Sequence, residues 1–504
     1  MLAKTYSFGL LGIEAYPITI EVDCSRGLPA TIIVGLPDNS IKESKERVRA
    51  AIKNSGHKFP TGRNTINLSP ADTKKEGPAF DLPIALGLLA SSEQISRHRL
   101  NEYALLGELS LDGEIMPVSG VLPIASSMAK SNFQGLIVPA ANATEAAVSG
   151  TIPVFPVKNL NELIYFFQNP DSVKPFQIDP SLLIRQGNGF DLDFADVKGQ
   201  THVKRGLEIA ASGQHNALLI GSPGTGKSML AKRFCGILPD MSLEESLETT
   251  KIYSVAGLLN HKQGIITDRP FRSPHHTTSA AAIVGGGSTP RPGEITLSHN
   301  GVLFLDELPE FNRSVLESLR QPLEDHVVTI SRASKSLRFP CRFILIAAMN
   351  PSPTGRYDDC PAYQMQRYLS KLSGPLLDRI DLHLDVPDLP SHELFAQTQP
   401  ESSQTIKERT TKAHRIQQER FQGTSIPANA HMNHKQIKHF CKLDKESKDL
   451  LKAAIDELKL SARAYDKILK VSRTVADLAD KEDIKCEHLA EAIQYRNLDR
   501  DFFA

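Results

Sequence analysis

The sequence lacks a net charge, because its 504 residues carry 58 basic and 58 acidic side chains. Net charge therefore gives no sign of a nucleic-acid or membrane partner, although it leaves a local basic patch open. The sequence also lacks paired cysteines. Its six cysteines are scattered without a CxxC spacing, which argues against a zinc site and a disulfide framework and favours a reducing compartment.

Long apolar runs are missing as well. The first residues, MLAKTYSFGLLGIEAYP, hold a short apolar stretch that Glu14 interrupts, so they make a poor signal peptide. No later run approaches the length of a membrane span, and we expect a cytoplasmic protein without a membrane partner. The length of 504 residues predicts two or three domains, and 40% hydrophobic with 23% charged residues is ordinary for soluble globular protein.

The order of strand and helix patterns predicts a multidomain α/β chain. Residues 1–168 mix both patterns: AYPITIEVD alternates as a half-buried strand does, and Asp112-Gly113 supplies the turn of a hairpin. We expect an α+β domain there, with helices against one sheet. Pro, Asn, Gly and Asp without a period predict a linker over residues 169–190.

A second α/β unit is predicted over residues 191–390, and the pattern then changes to helix over residues 391–504. One face of KESKDLLKAAIDELKL is apolar, and its members are Leu450, Leu451, Ala454, Ile455 and Leu458. A last helix is predicted around HLAEAIQYR. We therefore expect a small all-helical domain in this part of the chain.

The stretch HNALLIGSPGTGKSMLAKRF predicts a nucleotide site. Residues 218–220 have the pattern of a buried strand, a helix is predicted from Met229, and the loop between them fits GxxxxGK[ST]. Such a loop cradles a β-phosphate with its backbone N–H groups, while Lys227 faces the β- and γ-phosphates and the Ser228 hydroxyl suits Mg²⁺. The predicted nucleotide-binding residues are Gly221, Ser222, Pro223, Gly224, Thr225, Gly226, Lys227 and Ser228.

Two further strand ends are predicted to serve this site. GVLFLDEL places Asp306 and Glu307 after an apolar strand, where Asp306 would hold the hydrated Mg²⁺ and Glu307 would polarise the attacking water. RFILIAAMNPSP ends at Asn350, whose amide would orient water beside the γ-phosphate. A turn-forming asparagine before Pro351 explains the same pattern equally well.

Together these residues resemble those of AAA+ ATPases. FRSPHHTTS, GGGSTPRPGEITLSHNGVLFLDELPEF, SGPLLDRIDL and LSARAYDKILKVSRTVADL narrow the resemblance to the magnesium-chelatase-like branch. Within that branch the chain is similar to the ComM (YifB-type) competence helicases over essentially its whole length. The resemblance implies ATP and Mg²⁺ as cofactors, an arginine finger at Arg379 that acts on the neighbouring subunit, and a sensor-2 arginine at Arg463 in a helical lid.

The same resemblance implies a homo-hexameric ring with DNA, single-stranded or branched, in its central channel, and recombinase machinery as a further candidate partner. Such proteins are ATP-driven branch-migration motors that extend recombination joints when incoming DNA is integrated during natural transformation. We expect the channel loops in the insertion at 245–300, which is rich in Gly, Ser, Thr and His. The ATPase core alone leaves an alternative open, a magnesium-chelatase motor subunit for metal insertion into a porphyrin.

The first domain resembles the Lon-type protease fold through KEGPAFDLPIAL and GELSLDGEIMPVSGVLPIASSMAK. A Lon-like protease needs a serine after the Gly-Pro step and a lysine that takes its proton. Those positions hold Ala79 and Leu122, so we expect a scaffold, a ring-stabilising or DNA-contacting collar, and not a peptidase. This domain also argues against the chelatase alternative, because chelatase motor subunits lack it.

The adjacent histidines His275 and His276 raise the question of a metal site. Neighbouring residues do not share a face of a helix or strand, and no cysteine or carboxylate cluster lies nearby in the sequence. We therefore favour a structural or DNA-facing role for both. YDDCPAYQMQRY retains only Cys360 in the loop after Asn350, which argues against a metal knuckle there.

Overall fold

The computed structural model describes residues 2–169, 173–185, 192–260, 263–287, 290–331, 336–355, 360–390, 400–458 and 461–496. The strands are β1 (Leu2–Leu11), β2 (Glu14–Ser25), β3 (Ala30–Val34), β4 (Arg63–Ser69), β5 (Tyr103–Leu105), β6 (Glu108–Leu109), β7 (Ile115–Met116), β8 (Gly135–Pro139), β9 (Val154–Val157), β10 (Ala217–Ile220), β11 (Phe271–Arg272), β12 (Gly285–Gly286), β13 (Arg291–Pro292), β14 (Val302–Leu305), β15 (Val327–Ser331), β16 (Ser336–Pro340), β17 (Ile344–Met349) and β18 (Leu382–Asp385).

The α-helices are α1 (Asn39–Asn54), α2 (Asp81–Ser91), α3 (Val121–Ser127), α4 (Ala143–Ala147), α5 (Leu160–Gln168), α6 (Pro180–Arg185), α7 (Thr201–Gly213), α8 (Lys227–Phe234), α9 (Leu243–Ala256), α10 (Ala280–Val284), α11 (Glu294–Leu297), α12 (Arg313–Ser318), α13 (Arg320–Asp325), α14 (Ala362–Leu369), α15 (Gly374–Leu377), α16 (Ser403–Arg420), α17 (His434–Phe440), α18 (Lys445–Leu458), α19 (Ala462–Leu478) and α20 (Cys486–Gln494). In the part of the chain described here, every helix falls short of the length and apolar character that a membrane span requires.

The chain forms two compact units. The first contains Met1–Gly187 and Ser242–Thr267, and the second contains Asn188–Met241 and Asp268–Ala504. The segment Ser242–Thr267, with α9, therefore belongs to the first unit although it lies inside the range 191–390 predicted for the second α/β domain. The predicted linker range contains α6, while its residues 170–172 and 186–190 lie outside the described residues.

The first unit is built on a seven-stranded mixed sheet in the order β3-β4-β2-β1-β5-β8-β9. The predicted strand alternation is confirmed, because Ile18, Ile20 and Val22 of β2 are all buried in one core cluster. In β5, Ala104 joins a second cluster with α3 and α4, whereas its neighbour Leu105 joins the first cluster with α1 and α2. Since successive side chains of a strand point to opposite faces, helices cover both faces of this sheet.

The α9 segment is fixed to the first unit by a buried carboxylate. Glu145 is 1% exposed, and it accepts hydrogen bonds from the backbone N–H groups of Val121 and Leu122, each at 3.1 Å. It also accepts from Asn142 Nδ2 at 2.8 Å and from the Ser254 hydroxyl of α9 at 2.5 Å. One carboxylate thus accepts hydrogen bonds from the free N–H groups at the amino end of α3 and also holds the inserted helix α9 beside them.

The second unit is built on a five-stranded parallel sheet in the order β11-β14-β17-β10-β18. Every residue of β10, β14 and β17 is buried, as expected when a parallel sheet is covered on both faces. The helices of the C-terminal region share this core, in which Leu469, Val475 and Leu489 pack with Ile209 and Leu384. The predicted last helix is confirmed as α20.

The predicted apolar face of α18 is only partly confirmed. Leu451 is 2% exposed and belongs to the core, whereas Leu450 is 36% exposed and lies outside it. The period of the helix explains the difference, because Leu450 lies about 100° from its neighbour around the helix axis and the buried stripe is narrower than the predicted one.

Candidate nucleotide site

The predicted phosphate loop joins β10 to α8 at the carboxyl end of the sheet. Gly224 and Gly226 have φ angles of 86° and 93°, in the left-handed region that favours glycine. A Cβ on Gly221 would lie 2.3 Å from the carbonyl oxygen of Val386, so that position excludes any side chain. The glycines of the motif are therefore required by the backbone itself, which leaves the loop's N–H groups to bind an anion.

Lys227 lies under this loop and is 8% exposed. Its Nζ donates to the carbonyl oxygens of Gly221 at 2.7 Å and Ser222 at 2.8 Å, and to Asn350 Oδ1 at 3.2 Å. Burial lowers the pKa of this ammonium, and the nearby Asp306 carboxylate opposes that change. The lysine is thus held in place by neutral oxygens, and its charge is available to a phosphate.

Asp306 follows β14 and reaches the start of α8. The Ser228 hydroxyl donates to Asp306 Oδ2 at 2.6 Å, so the two predicted Mg²⁺ ligands are in direct contact. A hydroxyl and a carboxylate are the oxygen ligands that Mg²⁺ takes in phosphate sites, together with water and the phosphates themselves. The residues present therefore fit the ion that the sequence predicts, and Mg²⁺ between them would neutralise phosphate charge.

Glu307 lies beside Asp306 but points to a different neighbour. Its backbone N–H donates to Asp306 Oδ1 at 3.0 Å, and its φ angle of 53° is unusual for a residue other than glycine. Its carboxylate Oε2 lies 3.3 Å from Nδ1 of His276, and the Glu307 side chain is 56% exposed. His276 is thus a partner of the predicted base. Among the described residues, no group of three or more His, Cys, Asp or Glu side chains is placed to hold a metal ion.

Arg379 lies at the opposite end of the sheet from the phosphate loop. Asn216, which precedes β10, donates from Nδ2 to the Arg379 carbonyl oxygen at 3.0 Å and accepts from the Leu345 N–H at 2.8 Å. The Arg379 guanidinium donates to the Pro375 carbonyl oxygen and to Glu324. Its Nε is buried and has no hydrogen-bond partner in the described part of the chain. The structure therefore does not bring Arg379 to the phosphate loop of its own chain.

Arg463 lies in the first turn of α19, close to the same segment. Its guanidinium approaches Asp378 Oδ2 at 3.4 Å and is 60% exposed. Lys467, one turn later in α19, donates to the Ile380 carbonyl oxygen at 2.8 Å and lies 3.2 Å from Asp381 Oδ1. Arg463 thus contacts Asp378, the chain neighbour of Arg379. Lys227, Ser228, Asp306 and Asn350 form a separate group.

Asp381 anchors this segment in the interior. Burial alone would raise its pKa, but Lys467 and His215 outweigh burial and hold the pKa well below its usual range. Burial lowers the pKa of Lys467 to about 8, against the attraction of the Asp381 carboxylate. Sequence reasoning missed both this pair and Asn216, because each is a single polar residue whose partner is distant in sequence.

The two positions of the missing protease dyad are apolar in the first unit. Ala79 lies in the turn before α2, and Leu122 is fully buried against Val148 and Ile265. Lys75, which precedes this turn, is 0% exposed, and its ammonium donates to the Pro70 carbonyl oxygen. The apolar packing of the Leu122 side chain leaves no nucleophile and no base at these positions.

Known proteins are similar to this chain over nearly its whole length. The families described as magnesium chelatase subunit ChlI and its C-terminal region match residues 193–394 and 400–496, and a second ChlI family matches residues 20–142. The chain is 44% identical to the competence protein ComM of Haemophilus influenzae over 509 residues, covering 99% of this chain and 98% of that protein. The chain belongs to the ComM and YifB family.

Other relatives widen the comparison. YifB of Escherichia coli is 44% identical over 504 residues, covering 99% of this chain and 98% of that protein. The DNA replication licensing factor mcm6 of Dictyostelium discoideum is 23% identical over 301 residues, covering 56% of this chain and 30% of that protein. This ComM and YifB family member is therefore a magnesium-chelatase-like AAA+ protein, and these similarities support an ATPase.

Proposed function

We propose that this protein is an ATP-driven DNA motor that moves the branch point of recombination joints. The observation that carries the proposal is the convergence of Lys227, Ser228, Asp306 and Asn350 at the carboxyl ends of β10, β14 and β17. Ligands of open parallel sheets bind outside the carboxyl ends of the strands. In this proposal Gly221 to Ser228 hold the triphosphate of ATP, and the Ser228 and Asp306 oxygens hold Mg²⁺.

Hydrolysis requires a water that attacks in line with the γ-phosphate. Glu307 is the carboxylate we assign to polarise this water, and Asn350, within 3.2 Å of the lysine ammonium, is the amide that orients it. The contact between Asn350 and Lys227 favours this role over that of a simple turn residue. Bound Mg²⁺ would supply charge neutralisation for the phosphates.

The position of Arg379 supports an arginine finger that acts on a neighbouring subunit. Its backbone is bonded to Asn216 at the amino end of β10, whereas the phosphate loop follows the carboxyl end of that four-residue strand. Four residues span about 13 Å. A head-to-tail interface, in which one surface of a subunit meets a different surface of the next, forms a ring when the rotation between subunits closes. We propose a homo-hexameric ring in which Arg379 and Arg463 both face the nucleotide of the next subunit.

The similarity to known relatives is the support for a role in competence and for DNA as the substrate. The full-length similarity to the competence protein ComM supports a role in natural transformation, and the similarity to a DNA replication licensing factor supports an interaction with DNA. A ring that grips phosphates needs few base contacts and has little sequence specificity. We expect single-stranded and branched DNA as substrates, recombinase machinery as a partner, and a cytoplasmic location.

The first unit serves in this proposal as an inactive Lon-like scaffold. One of its two dyad positions holds Ala79. The other holds Leu122, whose buried contact with Ile265 helps to hold the inserted segment. A collar that stabilises the ring or contacts DNA needs no peptidase chemistry.

A magnesium-chelatase motor is the second candidate function, because the matching families are described by the chelatase subunit ChlI. A chelatase motor would use the same nucleotide site to drive Mg²⁺ into a porphyrin with a partner subunit. ATP-dependent metal insertion by the purified protein together with such a subunit would favour this reading over a DNA motor.

The deciding experiment measures branch migration and ATP turnover by the purified full-length protein. We expect the branch point of four-way DNA junctions to migrate faster with ATP than without it. We also expect ATP turnover to rise more with four-way DNA than with single-stranded or duplex DNA. Lys227→Ala and Asp306→Ala should remove both effects. A salt series would report the number of phosphate contacts. A junction that moves no faster with ATP than without it would rule out the motor.

A further inference from the structure

The charged end of the Arg379 side chain is held by two acceptors of its own chain. Its guanidinium donates through Nη1 to the Pro375 carbonyl oxygen and through Nη2 to Glu324 Oε1, which lies at 2.5 Å. Pro375 belongs to α15, in the same segment as Arg379, whereas Glu324 comes from α13, 55 residues earlier in the chain. An acceptor on each terminal nitrogen fixes the plane of the guanidinium as well as the direction of the side chain.

The backbone of Arg379 is fixed as well. Its carbonyl oxygen accepts from Asn216 Nδ2 at 3.0 Å, and its N–H donates to the Leu376 carbonyl oxygen at 2.9 Å. An arginine side chain has many rotamers, and conformational entropy is lost when it is ordered. Because Pro375 and Glu324 order it within the folded subunit, that loss does not fall on a later binding or catalytic step.

The two contacts leave part of the guanidinium available to a further anion. An arginine has five N–H donors, two on each terminal nitrogen and one on Nε. The contacts with Pro375 and Glu324 use one donor of each terminal nitrogen, and Nε is buried without a hydrogen-bond partner in the described part of the chain. Within these contacts, one N–H of each terminal nitrogen remains. A pair of such groups is the fork that binds two oxygens of a phosphate.

The orientation of the guanidinium depends on Glu324. The Arg379 side chain is 11% exposed, whereas that of Glu324 is 53% exposed. A charged group that is mostly removed from water needs a charged or hydrogen-bonding partner. Without the Glu324 carboxylate, the acceptor that remains among the described contacts is the neutral Pro375 oxygen. We therefore expect the guanidinium to turn out toward water and to lose its present direction.

We propose that Glu324 is a positioning residue that orients the Arg379 guanidinium toward the nucleotide of the neighbouring subunit. The proposal rests on the function proposed above, in which Arg379 is the arginine finger. Glu324 touches neither ATP nor Mg²⁺ in this arrangement and acts only through Arg379.

Two effects of the Glu324 carboxylate oppose each other. Its negative charge weakens the attraction between Arg379 and a phosphate, but solvent screens that effect because the Glu324 side chain is half exposed. A catalytic group misplaced by about 1 Å lowers the rate by as much as about 100-fold. The gain in orientation is therefore the larger effect, and removing Glu324 should slow hydrolysis.

The test begins with steady-state ATP turnover of the full-length protein in the presence of four-way DNA. Glu324→Ala should lower kcat about tenfold to 100-fold, with the KM for Mg-ATP within about twofold of the wild-type value. Glu324→Gln keeps an oxygen acceptor at the same distance from the backbone and should stay within about threefold of the wild-type kcat. Asp325→Ala is the matched control on α13, because the exposed Asp325 carboxylate accepts from Gln321 at 3.1 Å, and it should stay within about twofold.

Mixed rings show which subunit Glu324 serves. The Glu324→Ala protein keeps an intact phosphate loop, and the Lys227→Ala protein keeps an oriented finger, so their mixture should exceed the turnover of either variant alone. A mixture of Glu324→Ala with Arg379→Ala should stay at or below the turnover of Glu324→Ala alone, because neither protein supplies an oriented finger. A gain of equal size in both mixtures, or in neither, would overturn the proposal.

Comparison with Arg379→Ala separates this inference from the function on which it rests. A wild-type kcat in Glu324→Ala together with an inactive Arg379→Ala would overturn the inference and leave the proposed finger in place. A raised kcat in Glu324→Ala would also overturn it, because the carboxylate would then restrain the finger. Full turnover in both variants would refute the finger itself.

A second measurement needs no turnover. A double-mutant cycle of Glu324→Ala and Arg379→Ala, read as the midpoint of urea unfolding, should give a non-additive change because the two side chains are in contact. Additive changes would overturn the proposal even in an active enzyme. A non-additive cycle in a protein that hydrolyses no ATP would instead support the contact and overturn the proposed function.

Discussion

The Ser228 hydroxyl of the phosphate loop donates to Asp306 Oδ2 across a distance of 2.6 Å. The two residues come from different strands, since Ser228 lies in α8 after β10 and Asp306 follows β14, with β17 between them in the sheet. Their contact brings the two predicted Mg²⁺ ligands to the amino end of α8, where the helix dipole also favours the negative charge of a phosphate.

Removing the Asp306 carboxylate should abolish the metal dependence of hydrolysis. We expect Asp306→Asn to lower kcat by more than about 100-fold, because the charge stabilisation that Mg²⁺ provides is worth several kcal/mol. The change keeps the size of the side chain, so the midpoint of the unfolding transition should stay close to that of the wild type. ATP turnover measured against Mg²⁺ concentration checks this, and a variant with wild-type Mg²⁺ dependence would contradict it.

We expect Lys227 to lower the free energy of unfolding, although ATP turnover requires it. Burial lowers the pKa of its ammonium, so folding disfavours the charged form, and the free energy of unfolding contributed by Lys227 rises as the pH rises through its folded pKa. Lys227→Met should abolish ATP turnover and raise the free energy of unfolding at pH 7 by about 1 kcal/mol or less. Urea unfolding checks this, with Lys232→Met, an exposed lysine of α8, as the matched control. A clear loss of stability in Lys227→Met alone would contradict the expectation.

Arg379 should act between subunits. Arg379→Ala and Lys227→Ala should each be inactive alone, whereas a mixture of the two proteins should regain turnover. In a ring mixed at equal amounts, about one interface in four pairs an intact phosphate loop with an intact finger. ATP turnover of the mixture, compared with each variant alone, checks this. A monomeric protein with full turnover, or an active Arg379→Ala variant, would refute an arginine finger in trans.

Glu145 should be essential to the stability of the first unit. Glu145→Ala would leave the N–H groups of Val121 and Leu122 without their buried acceptor, which predicts a loss of about 3 kcal/mol in the free energy of unfolding. Hydrogen exchange of α3 and α9 should rise together. Glu93→Gln is the control, because Glu93 is 71% exposed and its contact with Arg97 is at 3.9 Å. Protection of α9 that survives Glu145→Ala would show that other contacts hold the segment.

Acid should loosen the segment that carries Arg379. The pKa of Asp381 lies well below its ordinary value of 3.8, so its contribution to stability is present above that value and is lost as the pH falls below it. We expect the free energy of unfolding to fall more steeply below about pH 4 in the wild type than in Asp381→Asn. Urea unfolding at several pH values checks this, with the exposed Asp456→Asn as control. Equal slopes in all three proteins would contradict it.

Much of the nucleotide site could be predicted because its signals are local. The pattern of an apolar strand, a glycine-rich loop and a helix occupies one stretch, and Gly224 and Gly226 have the backbone angles that the motif requires. The Asp306 and Asn350 positions were also predicted, since each follows an apolar run that could only be a buried strand. For Asn350 the pattern left two roles open, and its contact with Lys227 favours one of them.

The contact between His276 and Glu307, and the packing of α9 in the first unit, could not be predicted from local patterns. The histidine pair had no local pattern, and its partner Glu307 is identified only by the pairing of β11 with β14. Nothing in the residues of α9 indicates that Ser254 meets Glu145, because a single serine on a helix carries no signal of its partner. Both contacts join residues that are far apart along the chain.

The sequence by itself determined the strand–loop–helix of the predicted phosphate loop, the two further strands that end in polar residues, and the apolar residues Ala79 and Leu122 in the first unit. These follow from side-chain period, glycine backbone freedom and residue identity, which act within a few residues. Only the tertiary structure decided that Arg379 lies at the far end of the sheet, that His276 contacts Glu307 and that α9 packs in the first unit. Strand order and packing set these contacts, and they depend on burial summed over the whole core and not on any local pattern.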